Sequence, residues 1–454
     1  MKTVRMGNGS AYWGDMLDPA VDVAAKGDID YLGLDHLSEL TLAILQRYKA
    51  KNPKFGFIPD LLPWTEALLP ITFEKGITMI TNAGGANPEE GGRRVVELAR
   101  RLGFKGLKVG TISGDDVLDK LDDLAAQGVP FVNMDTGEEG LGSIRNRIVA
   151  ANAYVGSEKI IEALQAGAKM IVAGRISDGA PFVGAMMHEF GWRFEDGYWD
   201  QIGAAITVGH ILECACFCTG GGSNQWREAV DAWKIGFPIA EVNEIPEAII
   251  TKAPDTGGIV NQWTVKEQLT YEVLDPHNYY MPDGIADTGE VRVEEVGTNR
   301  VKVTGFRGKP RPDTLKLCIG YNDGYVAEGL LLFSWPDALE KARRAEDLVR
   351  KRLKHRLNIE PEEIRFDYVG VNTLHGRTAP EPNGELNEVG LRLAAKLRTA
   401  EEADLVRREA THLWTIGGIG TAFGVPFPVR PIISLWPTLV PRDAVELKLT
   451  VEEV

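Results

Sequence analysis

The 454-residue chain has only four cysteines, and three of them, Cys214, Cys216 and Cys218, crowd into five residues. That pattern cannot staple a small secreted fold, so it points to a reducing cytoplasm. No apolar run approaches the roughly 20 residues that a spanning helix needs, and the first residues carry no signal-like core. Basic charge is in deficit: 50 Lys and Arg against 65 Asp and Glu leave a net charge of −15. With no basic stripe either, nucleic acid and anionic membrane are excluded as partners. A local arginine can still draw a small anion into a pocket. Neither a G-x-x-x-x-G-K-[ST] loop nor a serine nucleophile elbow occurs, which sets aside P-loop nucleotide hydrolysis and serine hydrolase chemistry. Internal repeats and low-complexity segments are also missing.

What is present suits an enzyme-sized globular chain. The length exceeds one typical core, so two domains are expected: residues 1–285 and a smaller 286–454. Short apolar runs alternate with helical stripes over the first 175 residues. Strands are expected at 2–6, 29–34, 76–81, 107–110, 130–134 and 168–173, with helices between them, which predicts a doubly wound, mostly parallel α/β sheet. An open sheet fits better than a (β/α)8 barrel, because eight clean units cannot be counted. Beyond residue 286 the pattern becomes α+β, with a hairpin over 291–304, a helix over 337–357, a strand over 366–371 and mostly helix over 387–411.

In a parallel sheet the site lies outside the carboxyl ends of the strands. There the sequence places the glycine-rich Gly7-Asn8-Gly9-Ser10, then Asp35, then Asn82 before Gly84-Gly85, then Asp135, and finally Arg175 with Asp178. A fixed guanidinium can grip a carboxylate or phosphate in two places, while Asp178 acts as base or holds the arginine. An Arg–Asp bridge capping the next helix explains the same residues. His210 and Glu213, one helical turn apart, fit a general acid–base and its orienting carboxylate, and equally a satisfied core histidine. With Cys214 they could supply three metal ligands, although the alternating cysteines read first as packing and no metal is assigned. Thr219-Gly220-Gly221, and Lys252 ahead of Thr256-Gly257-Gly258, offer hydroxyls and amides for an anionic group.

Taken together, Gly7-Asn8-Gly9-Ser10, Leu34-Asp35-His36-Leu37, Asn82-Ala83-Gly84-Gly85, Asn152-Ala153-Tyr154, Gly174-Arg175-x-x-Asp178, Gly209-His210-x-x-Glu213-Cys214 and Thr219-Gly220-Gly221 resemble the acyclic terpene utilisation AtuA family. The resemblance covers roughly residues 1–310 and is weaker beyond. It implies a cytoplasmic catabolic protein of branched acyl-CoA or carboxylic-acid breakdown, and hands over no catalytic assignment. The expectation is therefore a lyase or hydratase acting on a small carboxylate or an acyl-CoA thioester, with Asp178, His210 and Glu213 catalytic. No cofactor is called for; a CoA thioester enters as substrate. Two rivals stand beside it: a non-catalytic accessory subunit of an acyl-CoA carboxylase-type complex, and a metal-dependent hydrolase. A homo-oligomer is expected.

Overall fold

The computed structural model describes residues 2–423 and 427–454. In chain order the strands that matter first are β1 (Thr3–Ser10), β2 (Tyr31–Leu34), β3 (Thr78–Thr81), β4 (Lys108–Ser113), β5 (Ile148–Ala153) and β6 (Met170–Ala173). Between and after them run α1 (Leu17–Lys26), α2 (Glu39–Lys51), α3 (Leu61–Lys75), α4 (Pro88–Leu102), α5 (Leu121–Ala126), α6 (Glu158–Gln165), α7 (Ala180–Phe190) and α8 (Trp199–Glu213). The fold is α/β. Strands β1, β2, β3, β6 and β4 lie side by side in that order, all parallel. Every residue of β2, β3 and β6 is buried. A strand covered on both faces needs an unbroken apolar run rather than alternation, and that is how these segments are written.

Antiparallel strands widen this core on both sides. β7 (Pro238–Asn243) pairs with β1, and β8 (Ala248–Lys252) with β7. After α9 (Gln262–Thr270) come β9 (Tyr279–Met281), β10 (Gly284–Asp287), β11 (Arg292–Gly297), β12 (Arg300–Thr304) and β13 (Arg307–Lys309). The hairpin β11–β12, which the sequence reading places beyond residue 285, extends the same sheet through β12 and β8. The sheet is open and ten-stranded, with β11 at one edge. β9, β10 and β13 form a small sheet of their own.

By contact density the chain divides into Met1–Gly320 with Leu435–Val454, and Tyr321–Ser434. The strand β14 (Thr314–Ser334) begins in the first unit and enters the second at Tyr321, where it is joined by α10 (Ala338–Arg352), β15 (Glu363–Val369), β16 (Glu388–Leu397), α11 (Ala400–Ile416) and β17 (Thr421–Phe423). The strands β18 (Arg430–Pro441) and β19 (Lys448–Glu453) end the chain, and β19 closes the other edge of the large sheet by pairing with β4. Helix was expected over 387–411, but its first part is β16. There Val389, Leu391, Leu393, Ala395 and Leu397 are buried at every second position, a strand's period. α11 begins only after Thr399, whose side chain caps the Glu402 amide.

Two further expectations fail for local reasons. Pro130–Met134 is a loop, not a fifth strand: the Asn133 side chain accepts the amides of Asp135 and Thr136 at 2.8 and 3.0 Å, folding the chain into a turn. β5 pairs with β14 instead of entering the large sheet. Gly7 and Gly9 lie inside β1, not in a turn after it. A Cβ on Gly7 would stand 2.3 Å from Val23, and one on Gly9 would stand 2.4 Å from Leu34. Those glycines bring α1 and the β2 end close to the first strand.

A similar approach seats α8 on the small sheet. A Cβ on Gly203 would fall 2.2 Å from the Arg307 carbonyl, and one on Gly308 would fall 1.9 Å from the Trp199 carbonyl. Backbone cannot yield as a flexible side chain does. Gly203→Val is therefore expected to destabilise the protein by about 1–3 kcal/mol, the usual cost of overpacking, read as a lowered midpoint in chemical denaturation. An unchanged midpoint would show that α8 can move away freely.

Candidate functional site

Four strand ends meet at one place. The Ser10 hydroxyl, at the end of β1, donates to the Asp35 carbonyl at 2.7 Å. Asp35 follows β2, and its Oδ1 accepts from the Leu37 amide at 3.0 Å and from the Asn82 side chain, which follows β3. The other end of the Asn82 amide accepts the His36 N–H at 2.8 Å. Arg175 follows β6 and is 1% exposed. Its backbone N–H donates to Asp115 Oδ2 at 3.0 Å and its Nη1 to the Leu37 carbonyl at 3.0 Å. Its guanidinium lies 3.8 Å from the centre of the Tyr154 ring, a stacked cation–π contact. Asp178 Oδ1 sits 2.7 Å from Nη2 without the alignment of a hydrogen bond, so the contact is ionic. Asp178 is one-third exposed, the most open member of this group.

The second half of the site comes from α8. Asn8 Nδ2, in β1, donates to the Leu212 and Glu213 carbonyls at 2.7 and 3.0 Å, satisfying acceptors that a helix end leaves open. His210 Nδ1 and Glu213 Oε1 are 2.7 Å apart, and the Tyr279 hydroxyl is 3.3 Å from the same nitrogen. The Arg175–Asp178 loop reaches this pair because Gly179 faces Gly209: a Cβ on Gly209 would stand 3.0 Å from the Gly179 carbonyl. A small enclosed cavity lies here, lined by Ser177, His210, Glu213 and Asp283 among others. Asp283 Oδ1 accepts the Ser157 amide and hydroxyl at 2.8 and 2.7 Å. His210 Nε2, Glu213 Oε2 and Asp283 Oδ2 are buried without partners, as are Asn8 Oδ1 and Arg175 Nε.

Burial and neighbouring charge sort the titratable groups. Burial drives the Asp35 pKa well above the usual carboxylate range, and the Asp178 charge adds to this against the pull of Arg175. Glu39 goes the other way. Burial would raise it, but the Tyr154 hydroxyl, Lys316 and Arg175 hold it down to about 2. Burial opposes a charge on His210, yet Glu213 outweighs it and the His210 pKa ends raised; burial also raises Glu213. Their short contact therefore holds a proton between two groups that both resist losing it. Burial pushes Asp283 up to about 6, with Glu158 reinforcing it. Burial works against the Arg175 charge too, but Asp178, Tyr154 and Asp35 overcome it, so Arg175 remains a cation. Acids pushed apart in this way are what acid–base chemistry requires.

Asn8, Ser10, Asp35, Asn82, Arg175, Asp178, His210 and Glu213 thus come together from the sequence-predicted set. Others do not. Asp135 is exposed on the loop that replaces the expected strand. Gly84 serves packing, since its Cβ would meet the Ala173 carbonyl at 2.5 Å, and Gly85 turns the chain at φ +55°. The amides of Thr219 and Gly221 donate to the Cys216 carbonyl and that of Gly220 to Phe217, so the expected anion nest is closed within its own turn. The Thr219 hydroxyl is bound to the Gly236 carbonyl, and the Lys252 ammonium to the Thr256 carbonyl. Burial raises the Cys214 thiol, pushes Cys216 up to about 11 and Cys218 up to about 12, away from the thiolate form. Among the described residues no group of three or more His, Cys, Asp or Glu side chains is arranged to hold a metal ion, so His210, Glu213 and Cys214 do not assemble as ligands. Sequence reasoning missed Glu39, Asp115, Asn152, Tyr279 and Asp283. None of them was assigned to the site, Asn152 entering only through the Asn152-Ala153-Tyr154 resemblance, and the topology brings them there.

His36, beside Asp35, supplies a test of this electrostatic picture. It is buried edge-on against Trp64, with ring centres 4.9 Å apart. Burial lowers its pKa to about 4. The unfolded chain takes up that proton near pH 6.5 and the folded chain does not. The His36 contribution is thus fully present above pH 6.5 and is lost as the pH falls towards 4. Over that window the native protein should lose about 3 kcal/mol through this residue. In His36→Phe, stability against urea should fall less steeply between pH 6.5 and 4; an identical slope would refute the assignment.

No curated protein and no solved structure matches the chain. The family model for the acyclic terpene utilisation family protein AtuA matches residues 4–451. The match therefore reaches through the C-terminal part, well past the residue 310 at which the sequence resemblance weakens. It takes in every strand end and helix that builds the site, and on this ground the chain belongs to the acyclic terpene utilisation AtuA family.

Proposed function

We propose that the chain is an enzyme that moves protons on a small carboxylate or acyl thioester, as a lyase or hydratase. One observation carries this reading: the buried polar atoms without partners at the joined ends of β1, β6 and α8. Each such atom costs about 1–3 kcal/mol in the resting protein. Holding several of them at one place is explained if a substrate completes them. In this scheme a substrate carboxylate or carbonyl takes up the Arg175 face in exchange for Asp178. Asp178, released and solvent-facing, accepts a proton from the carbon beside that group. His210 delivers a proton to the departing hydroxyl, which leaves as water, and Glu213 keeps the imidazolium oriented. Hydration runs the same steps in reverse. Four free cysteines suit a reducing compartment for such an enzyme.

The test is turnover of a panel of 3-hydroxy and 2,3-unsaturated acids and their CoA thioesters. Asp178→Asn and His210→Gln should each lower kcat by about 10²–10⁴, with the fold intact by circular dichroism. Arg175→Lys should raise KM more than it lowers kcat. No turnover anywhere in the panel, or undiminished turnover in both the Asp178 and His210 variants, would remove this reading.

The accessory-subunit reading draws support from a different place. Trp226, Trp233 and Trp263 are 58%, 81% and 54% exposed, and Leu274 is fully so, in the stretch that follows α8. Exposed tryptophans are common anchors of protein interfaces. Recovery of this chain bound to a biotin-containing complex, inactive alone, would favour that reading; activity alone would oppose it.

A further inference from the structure

A second cleft of about 390 Å³ opens beside the Arg175 cluster, at the carboxyl ends of β3 and β4 and against the start of α4. That volume is in the range of small-molecule sites. Asn152, 1% exposed, is among its lining residues; its Nδ2 donates to Asp115 Oδ2 at 2.8 Å and its Oδ1 is buried without a partner. Among the described residues nothing supplies the missing donor. A buried carbonyl oxygen in the wall of a cleft calls for a donor from the occupant.

The rest of the lining says what kind of donor. Glu89, Asp115, Asp116 and Asp119 line the cleft, which opposes an anion. Lys49 and Lys448 line it too, and the positive end of α4 faces it, which opposes a cation. The Lys49 ammonium is already bound to the Ala86 carbonyl at 2.7 Å. Glu89 Oε1 accepts the Ser113 hydroxyl at 3.0 Å, and Asp116 accepts the Gln46 amide and the Leu118 N–H. Acceptors exceed donors around a lining of mixed charge. A neutral group with adjacent donors suits that balance best.

We propose that this cleft binds a ligand through neighbouring hydroxyl groups, a vicinal diol such as a ribose carries. Asn152 Oδ1 and the Glu89 carboxylate accept from the two hydroxyls, the way carboxylates at such sheet edges hold ribose. Asp115 links this cleft to the Arg175 cluster, because its Oδ2 also takes the Arg175 N–H. The inference does not depend on the reaction assigned to that cluster, since it concerns binding alone.

The experiment is saturation-transfer NMR with titration on the full-length protein, using adenosine, methyl β-D-ribofuranoside, 2′,3′-dideoxyadenosine and putrescine. Adenosine or methyl β-D-ribofuranoside should bind, and dideoxyadenosine should not. Asn152→Leu should weaken that binding by about tenfold or more, the scale of one lost hydrogen bond. Should that variant fail to fold, Glu89→Ala changes only an exposed rim residue and should weaken binding similarly. Asp178→Asn should leave it unaltered. Silence from both hydroxylated probes, equal binding of the dideoxy compound, preference for putrescine, or full binding in Glu89→Ala would each overturn the proposal.

Discussion

The candidate site depends on one buried positive charge. A guanidinium taken out of water is costly unless its hydrogens and its charge are matched. Arg175 finds its partners on separate segments: the Leu37 carbonyl after β2, the Tyr154 ring after β5, and Asp178 on the way into α7. Their common attachment to one rigid side chain ties the ends of the strands together, so that the floor of the site is cross-linked without covalent chemistry. Removing one partner would leave the buried charge less fully matched.

Glycine makes that unit possible. Close contacts at Gly7, Gly9 and Gly84 bring backbone and packed side chains nearer than a methyl group would allow, and the contact at Gly209 leaves little room for one. The glycine abundance that reads as phosphate-binding loops is mostly this: removal of Cβ atoms where elements cross. The Gly209–Gly179 contact matters most, because it sets α8, with its His–Glu pair, against the loop that carries Asp178.

Much of this was readable in the chain. Buried strands with continuous apolar runs stand out, and five of the six expected parallel strands fall in the core of the large sheet. The carboxyl-end rule then carried Asn8, Ser10, Asp35, Asn82, Arg175 and Asp178 to one edge. His210 and Glu213 followed from helical spacing. The failures share a cause. Pro130–Met134 has strand-like residues but its Asn133 makes a turn, a side-chain event that hydrophobic patterning does not record. β16 has the right alternation, but its alanines and arginine also suit a helix, and pairing with β14 decided the matter. Glu39, Asp115, Asn152 and Asp283 reach the site only through long-range packing. The Thr219–Gly221 turn has the composition of an anion nest, and only the backbone pairing shows that its amides are occupied.

Asn82 carries a consequence of its own. One end of its amide faces the His36 N–H, which can only donate, so that end must be the oxygen. The NH2 end is then forced towards Asp35 Oδ1, which also takes the Leu37 amide. An oxygen receiving two N–H groups has no place for a hydrogen of its own. Burial raises the Asp35 pKa, and whenever the carboxyl is protonated its hydrogen rides on Oδ2. A single amide, oriented by one backbone contact, thereby makes the two oxygens of a carboxyl group inequivalent and decides which of them can donate.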